Sequence, residues 1–99
     1  MTAMRFRTKD VEIEALQYTG DNYEEVLIWT EMNFRMLLNG EGDTLSLAGV
    51  QVYDKLHDTW IWVLPGQWIV RGVKEEYYPC DNETFFWKYE EIDEMEVVD

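Results

Sequence analysis

The chain holds one cysteine, Cys80, and one histidine, His57. A catalytic thiol needs a neighbouring base or a cationic environment, and nothing in the spacing brings His57 to Cys80. A lone cysteine after a proline reads instead as a buried small apolar residue. One cysteine and one histidine cannot assemble a zinc site, and no Asp-rich loop has the calcium-binding spacing with its central glycine. Carboxylates are abundant but come as sequence neighbours, at 24–25, 75–76, 90–91 and 93–94. Neighbours on a strand point to opposite faces, and glycosidase-like chemistry needs one acid held in an apolar pocket. Glu75 and Glu76, beside aromatic strands, come nearest to that, and solvated charge accounts for them more simply. The expectation is a protein that is not an enzyme, with no metal and no cofactor.

One segment could hold a small anion. Arg71-Gly72-Val73-Lys74 places two bases around a glycine, followed by Tyr77 and Tyr78. Glycine lets a backbone N–H approach an anion closely, and arginine offers a planar fork that matches phosphate. Two tyrosines could stack a base. Arg71, Lys74, Tyr77 and Tyr78 are therefore the candidate residues for a nucleotide-like ligand. The competing reading pairs Arg71 and Lys74 with nearby glutamates in a hairpin.

Charge bounds the partners. Eight Lys+Arg stand against 21 Asp+Glu over 99 residues, a formal net charge of −13. Binding to nucleic acid or to an anionic membrane needs the opposite sign, so neither is expected, whereas a basic protein partner is favoured. Keeping an aromatic-rich chain soluble is the plainer use of so much acid. The distribution is uneven. Arg5, Arg7 and Lys9 make a basic arm over 1–9, and 90–99 carries six acids and no base. Glu90, Glu91, Asp93, Glu94 and Glu96 are the candidate partner-binding residues of that segment.

These residues must be carried by a single domain spanning 1–99, since the length suits one core and the chain is 46% hydrophobic and 15% aromatic. The longest run free of charge, 59–70, is broken by Pro65-Gly66 and falls short of the ~20 apolar residues of a membrane span. The first residues have no apolar signal-peptide core, and a single cysteine agrees with a reducing compartment. A cytoplasmic location follows as the expectation. Val11, Ile13 and Ala15 alternate with Glu12 and Glu14, so 11–18 reads as a half-buried strand. Turn residues at 19–22 lead into a short helix over 23–32, opened by a capping-box-like Asn22 and Glu25.

The remainder reads as β-structure. Residues 34–38 fit a strand or a helical extension, and Asn39-Gly40 after them favours a hairpin. Short strands follow at 44–48 and 50–56 around Gly49, then at 59–64, 67–71 and 75–78, the last stopped by Pro79. Both faces of 59–64 are apolar, which suggests a central strand. The alternation of Phe85, Trp87 and Tyr89 favours a final strand over 84–90, although Phe85, Phe86 and Tyr89 would also make a helical face. The sum is an α+β fold: an N-terminal strand, one short helix, then a mostly antiparallel curled sheet or half-barrel. Five tryptophans in so small a chain leave an apolar face that the helix or a second copy must cover, so a homodimer is a further expectation.

The run Pro65-Gly66-Gln67-Trp68-Ile69-Val70-Arg71-Gly72-Val73-Lys74-Glu75-Glu76-Tyr77-Tyr78-Pro79-Cys80 resembles a segment close to P-G-D-W-I-I-R-G-V-K-G-E-F-Y-P-C. That segment belongs to a family of small phage and prophage proteins of unassigned function. The opening Val11-Glu12-Ile13-Glu14-Ala15-Leu16-Gln17-Tyr18-Thr19-Gly20-Asp21-Asn22 resembles the same family's V-x-V-E-A-x-Q-Y/W-T-G-D-N. The two blocks cover about a third of the chain. Gln67 stands where the family has Asp, Glu75 where it has Gly, and Asp81-Asn82 where it has Lys-Pro. The resemblance implies a phage or prophage origin and brings no catalytic residue. With the charge, it leads to a phage-encoded accessory protein that works by binding, most concretely as an acidic inhibitor of a basic host protein in the host cytosol. Such a protein could mimic nucleic acid or counter a host defence. The alternatives are the small-anion binder at Arg71 and Lys74 and a structural or assembly component of the particle.

Overall fold

A computed structural model describes residues 3–7 and 12–91. Over the described residues the fold is α+β, with two antiparallel sheets, two short α-helices and a 3-10 turn at Gly42–Thr44. In chain order the elements are β1 (Met4–Arg7), β2 (Glu12–Gln17), α1 (Tyr23–Trp29), β3 (Phe34–Asn39), β4 (Ser46–Asp54), β5 (Thr59–Val63), β6 (Trp68–Arg71), β7 (Tyr77–Cys80), α2 (Asn82–Lys88) and β8 (Glu90–Glu91). One sheet runs β7-β6-β2-β1-β8 and the other β3-β4-β5. No helix among the described residues is long and apolar enough to cross a membrane.

Period-2 alternation sorts the side chains of the larger sheet into two cores. Leu16, Ile69 and Tyr77 face the smaller sheet and pack with Phe34, Val50, Val52, Val63, and with Val26 of α1. Their neighbours Ala15, Trp68 and Val70 face the other way, with Phe6 and Ile13, against Phe85 and Tyr89. Strand β6 is therefore buried on both faces, with Trp68, Ile69 and Val70 all inside. The strand expected to be central, 59–64, is instead β5, which among the described residues stands at an edge and pairs with β4 alone. Its second apolar face is left open, with Trp62 51% exposed.

The final strand expected over 84–90 is corrected to helix α2. Phe85 and Tyr89 are four residues apart and both buried, whereas Phe86 and Trp87 face out, which is the helical period. Asp81 stands before the first turn, Glu83 within it and Lys88 in the last, each on the side that suits the helix dipole. The basic N-terminal stretch supplies β1, which lies between β2 and β8. Pro79 sits inside β7 rather than ending it, because β7 is an edge strand that needs ladder bonds on one side only.

Helix α1 ends at Trp29, short of 32. Glu31 and Met32 adopt positive φ values of 57° and 71°, and Met32 N–H donates to Leu27 O at 2.9 Å, so the chain turns sharply into β3. Asn22 and Glu25 do meet, at 3.1 Å, but no side-chain cap bond forms. Asn22 Oδ1 instead accepts from the Thr19 N–H at 2.8 Å and closes the preceding turn. The two strands expected around Gly49 are one continuous β4. Gly49 pairs with Leu37, while Leu38 pairs with Leu47, leaving Ala48 as the extra residue of a bulge. A side chain at Gly49, at φ 152°, would come within 2.9 Å of the Trp62 ring.

Candidate functional site

Arg71 and Tyr77 are cross-strand partners on β6 and β7, so their side chains share a face. The guanidinium is engaged within the fold. Arg71 Nη1 donates to Glu14 Oε1 at 2.8 Å, Nη2 to Trp29 O at 2.6 Å, and Nε and Nη2 to Tyr77 Oη at 3.1 and 3.0 Å. Its carbon centre lies 5.0 Å from the Trp29 ring and 5.4 Å from that of Tyr77. An anion at Arg71 would have to displace Glu14. Burial pushes the Tyr77 hydroxyl upward, partly offset by Arg71. Tyr78 points to the opposite face, where its hydroxyl meets that of Tyr89 at 3.0 Å, and burial raises its pKa well above the ordinary phenol value. Lys74 lies in the exposed turn between β6 and β7, held by its backbone N–H to Glu76 Oε1 at 3.1 Å. The structure thus joins Arg71 to Tyr77 and to Glu14, and leaves Lys74 and Tyr78 apart from them.

The acidic candidates divide as well. Glu90 and Glu91 form β8 and pair with Arg7 and Phe6 of β1. Asp93, Glu94 and Glu96 lie outside the described residues.

His57 and Cys80 serve different neighbourhoods. Cys80 ends β7, cross-strand from Trp68, and burial pushes its thiol up, away from the thiolate a nucleophile needs, with Lys88 opposing and Asp81 adding to that rise. His57 stands in the β4–β5 turn, with Nδ1 at 2.7 Å from Asp54 Oδ2. Asp54 also accepts from the backbone N–H groups of Leu56 and His57 at 3.0 and 3.3 Å. Burial works to raise the Asp54 carboxyl, and these hydrogen bonds more than offset it, holding the pKa below its ordinary value. A carboxylate that accepts so many bonds fixes a tight turn. Among the described residues no three Asp, Glu, His or Cys side chains gather as a metal-holding group.

What the molecule offers outward is apolar surface beside acid. Leu38, Leu47 and Leu64 are 55%, 56% and 62% exposed, and Trp87, on α2, is 88% exposed. Leu47, Trp62 and Leu64 help line a groove of about 380 Å³ at the open end of the smaller sheet. A wider depression of about 780 Å³ has Asp21, Glu24 and Glu25 on its walls with Met36. The signal in the sequence was present, since 34–38 is almost wholly apolar apart from Arg35. It did not say that these side chains would reach past the core. No family model, curated protein or solved structure matches this chain.

Proposed function

We propose that this chain is a phage- or prophage-encoded accessory protein that acts by binding, as an acidic inhibitor of a basic host protein in the host cytosol. The observation that carries this reading is a net charge of −13 on a surface that also exposes large apolar side chains such as Trp62 and Trp87. Complementary charge speeds encounter and excludes wrong partners, and exposed aromatic residues are the usual anchors of affinity. The acidic segment over 90–99 adds to that field and would occupy a basic groove, one that otherwise holds nucleic acid. The origin rests on the resemblance of the two sequence blocks. The engagement of the Arg71 guanidinium with Glu14 and Tyr77 weighs against the small-anion alternative.

The test is capture with the tagged full chain from host lysate, eluted in steps of rising salt and read by mass spectrometry. One dominant basic protein, released at moderate salt, is the expected result. Absence of a partner, or a partner whose release is indifferent to salt, sinks the inhibitor reading.

A further inference from the structure

The core-facing side of the smaller sheet continues beyond its cover. Along β3 the inward positions are Phe34, Met36 and Leu38. Phe34 is buried beneath Tyr18 and Tyr23, whose rings lie 5.5 and 5.2 Å away, but Met36 and Leu38 are exposed. Leu38 pairs across the ladder with Leu47, and Leu47 lines one groove with Leu64. Met36, Leu38 and Leu47 thus make an apolar strip running out from the core, with Leu64 at the groove beside its end.

Two further features bear on what covers it. The strip is flanked by acid: Asp21, Glu24 and Glu25 share a depression with Met36, and Glu41 and Asp43 stand exposed in the β3–β4 turn. Among the described residues lining the two depressions there is neither lysine nor arginine. In addition, among the described residues β3 pairs with β4 alone, and its other edge offers N–H and C=O groups to an added strand. That edge lacks the usual protection. It has no proline, and its one charge, Arg35, folds back over the Trp60 ring at 4.1 Å and donates to Gln51 Oε1 at 2.9 and 2.7 Å.

A second copy seated here would bring the same acidic rim against this one, and like charges across an interface are costly. A segment with lysine or arginine beside apolar residues satisfies rim and strip together. We propose that the β3 edge and this strip receive an extended, Lys/Arg-bearing segment of the partner protein. The segment adds as a strand to β3 and seats its apolar side chains on Met36 and Leu38, with Leu47 next across the ladder. Main-chain bonds then supply affinity, and the side-chain contacts and charge supply selection. This rests on the binding function proposed above and assigns it a surface other than the acidic segment.

The full chain, labelled with nitrogen-15, is titrated with a synthetic peptide alternating Lys and Val, with Lys–Ser and Glu–Val peptides as controls. The Lys–Val peptide should shift the amides of Met36, Leu37, Leu38 and Leu47, and bind more weakly as salt rises. Both controls, and the doubly substituted variant Leu38→Thr/Leu47→Thr, should bind about tenfold more weakly or worse, a loss of about 1.4 kcal/mol. Both substitutions replace exposed residues by a good strand former, so the fold is kept. Shifts confined to other residues, equal affinity in the variant, or a dimer in solution that the variant dissolves would each overturn the assignment. Host-protein capture separates the two proposals. A basic protein captured equally by the variant keeps the function and discards this surface. A peptide seated on the strip, with no captured protein, does the reverse.

Discussion

Arg71 and Asp54 are polar residues whose roles turn on what surrounds them. Arg71 reaches Glu14 on β2, the carbonyl of Trp29 at the end of α1, and Tyr77 on β7, and so ties three elements at one corner. Removing it takes a donor from each of those acceptors. Net contributions of hydrogen bonds to a charged group run to about 1.5–3 kcal/mol, so Arg71→Ala should cost about 2 kcal/mol in urea denaturation. Arg71→Lys should recover less than half, because an ammonium cannot span the same fork. Unchanged stability would return Arg71 to the role of a ligand-binding residue. For Asp54 the sign follows from its lowered pKa. The ionised form is favoured in the folded state, so its contribution is complete above the unfolded carboxyl pKa of about 3.9 and disappears as pH falls through the folded value. Asp54→Asn should therefore melt below the parent at pH 7, and the gap should close on acidification below about pH 4. Neither partnership was legible beforehand in full. The hairpin reading paired Arg71 with a nearby glutamate, whereas its partner Glu14 lies 57 positions away, brought there by the β2–β6 register.

At the scale of elements, β2, α1, β3 and β6 follow from patterns that local sequence carries: alternation, turn residues and an apolar face. One error comes from ambiguity of period. Where apolar residues crowd a segment, both periods fit, and the tertiary surroundings decide. Residues Phe85, Phe86, Trp87 and Tyr89 allow either a strand or a helix, and the pocket beneath them selects the helix. Phe85 stacks on Trp68 at 4.6 Å with the planes 7° apart, and meets Phe6 edge-on at 4.6 Å. Residues 59–64 do form a strand, and the difference lies in its place: two apolar faces suggest a central strand, whereas one of them remains open at an edge. Asp81, Glu83 and Lys88 were the overlooked cue for α2. If α2 is held chiefly by Phe85, then Phe85→Ala should lower stability by about 3–5 kcal/mol, with tryptophan fluorescence reporting the loss of packing at Trp68. The exposed neighbour offers the control, since Trp87→Ala, on a side chain 88% exposed, should cost under about 0.5 kcal/mol.

Across the whole molecule, the charge that would attract the proposed basic partner opposes the chain's own folding. A net charge of −13 is self-repulsion that the compact state must bear. The described ion pairs do little to relieve it. Lys55–Glu75 is exposed on both sides at 3.6 Å, where such pairs contribute at most about 1 kcal/mol, and Arg71–Glu14 is a local tie rather than a screen for the rest. Added salt shortens the reach of charge from about 30 Å at 0.01 M to about 8 Å at 0.15 M. The melting temperature of the free chain should therefore rise over that range. Affinity for a basic partner should fall over the same range, because the attraction is screened along with the repulsion. Thermal melts of the free chain and partner titrations at matched ionic strength read both effects, and their opposite signs carry the argument. A chain whose stability also fell with salt would be held by attractive pairs among its own residues. Its acid would then be internal structure rather than a surface kept for another protein.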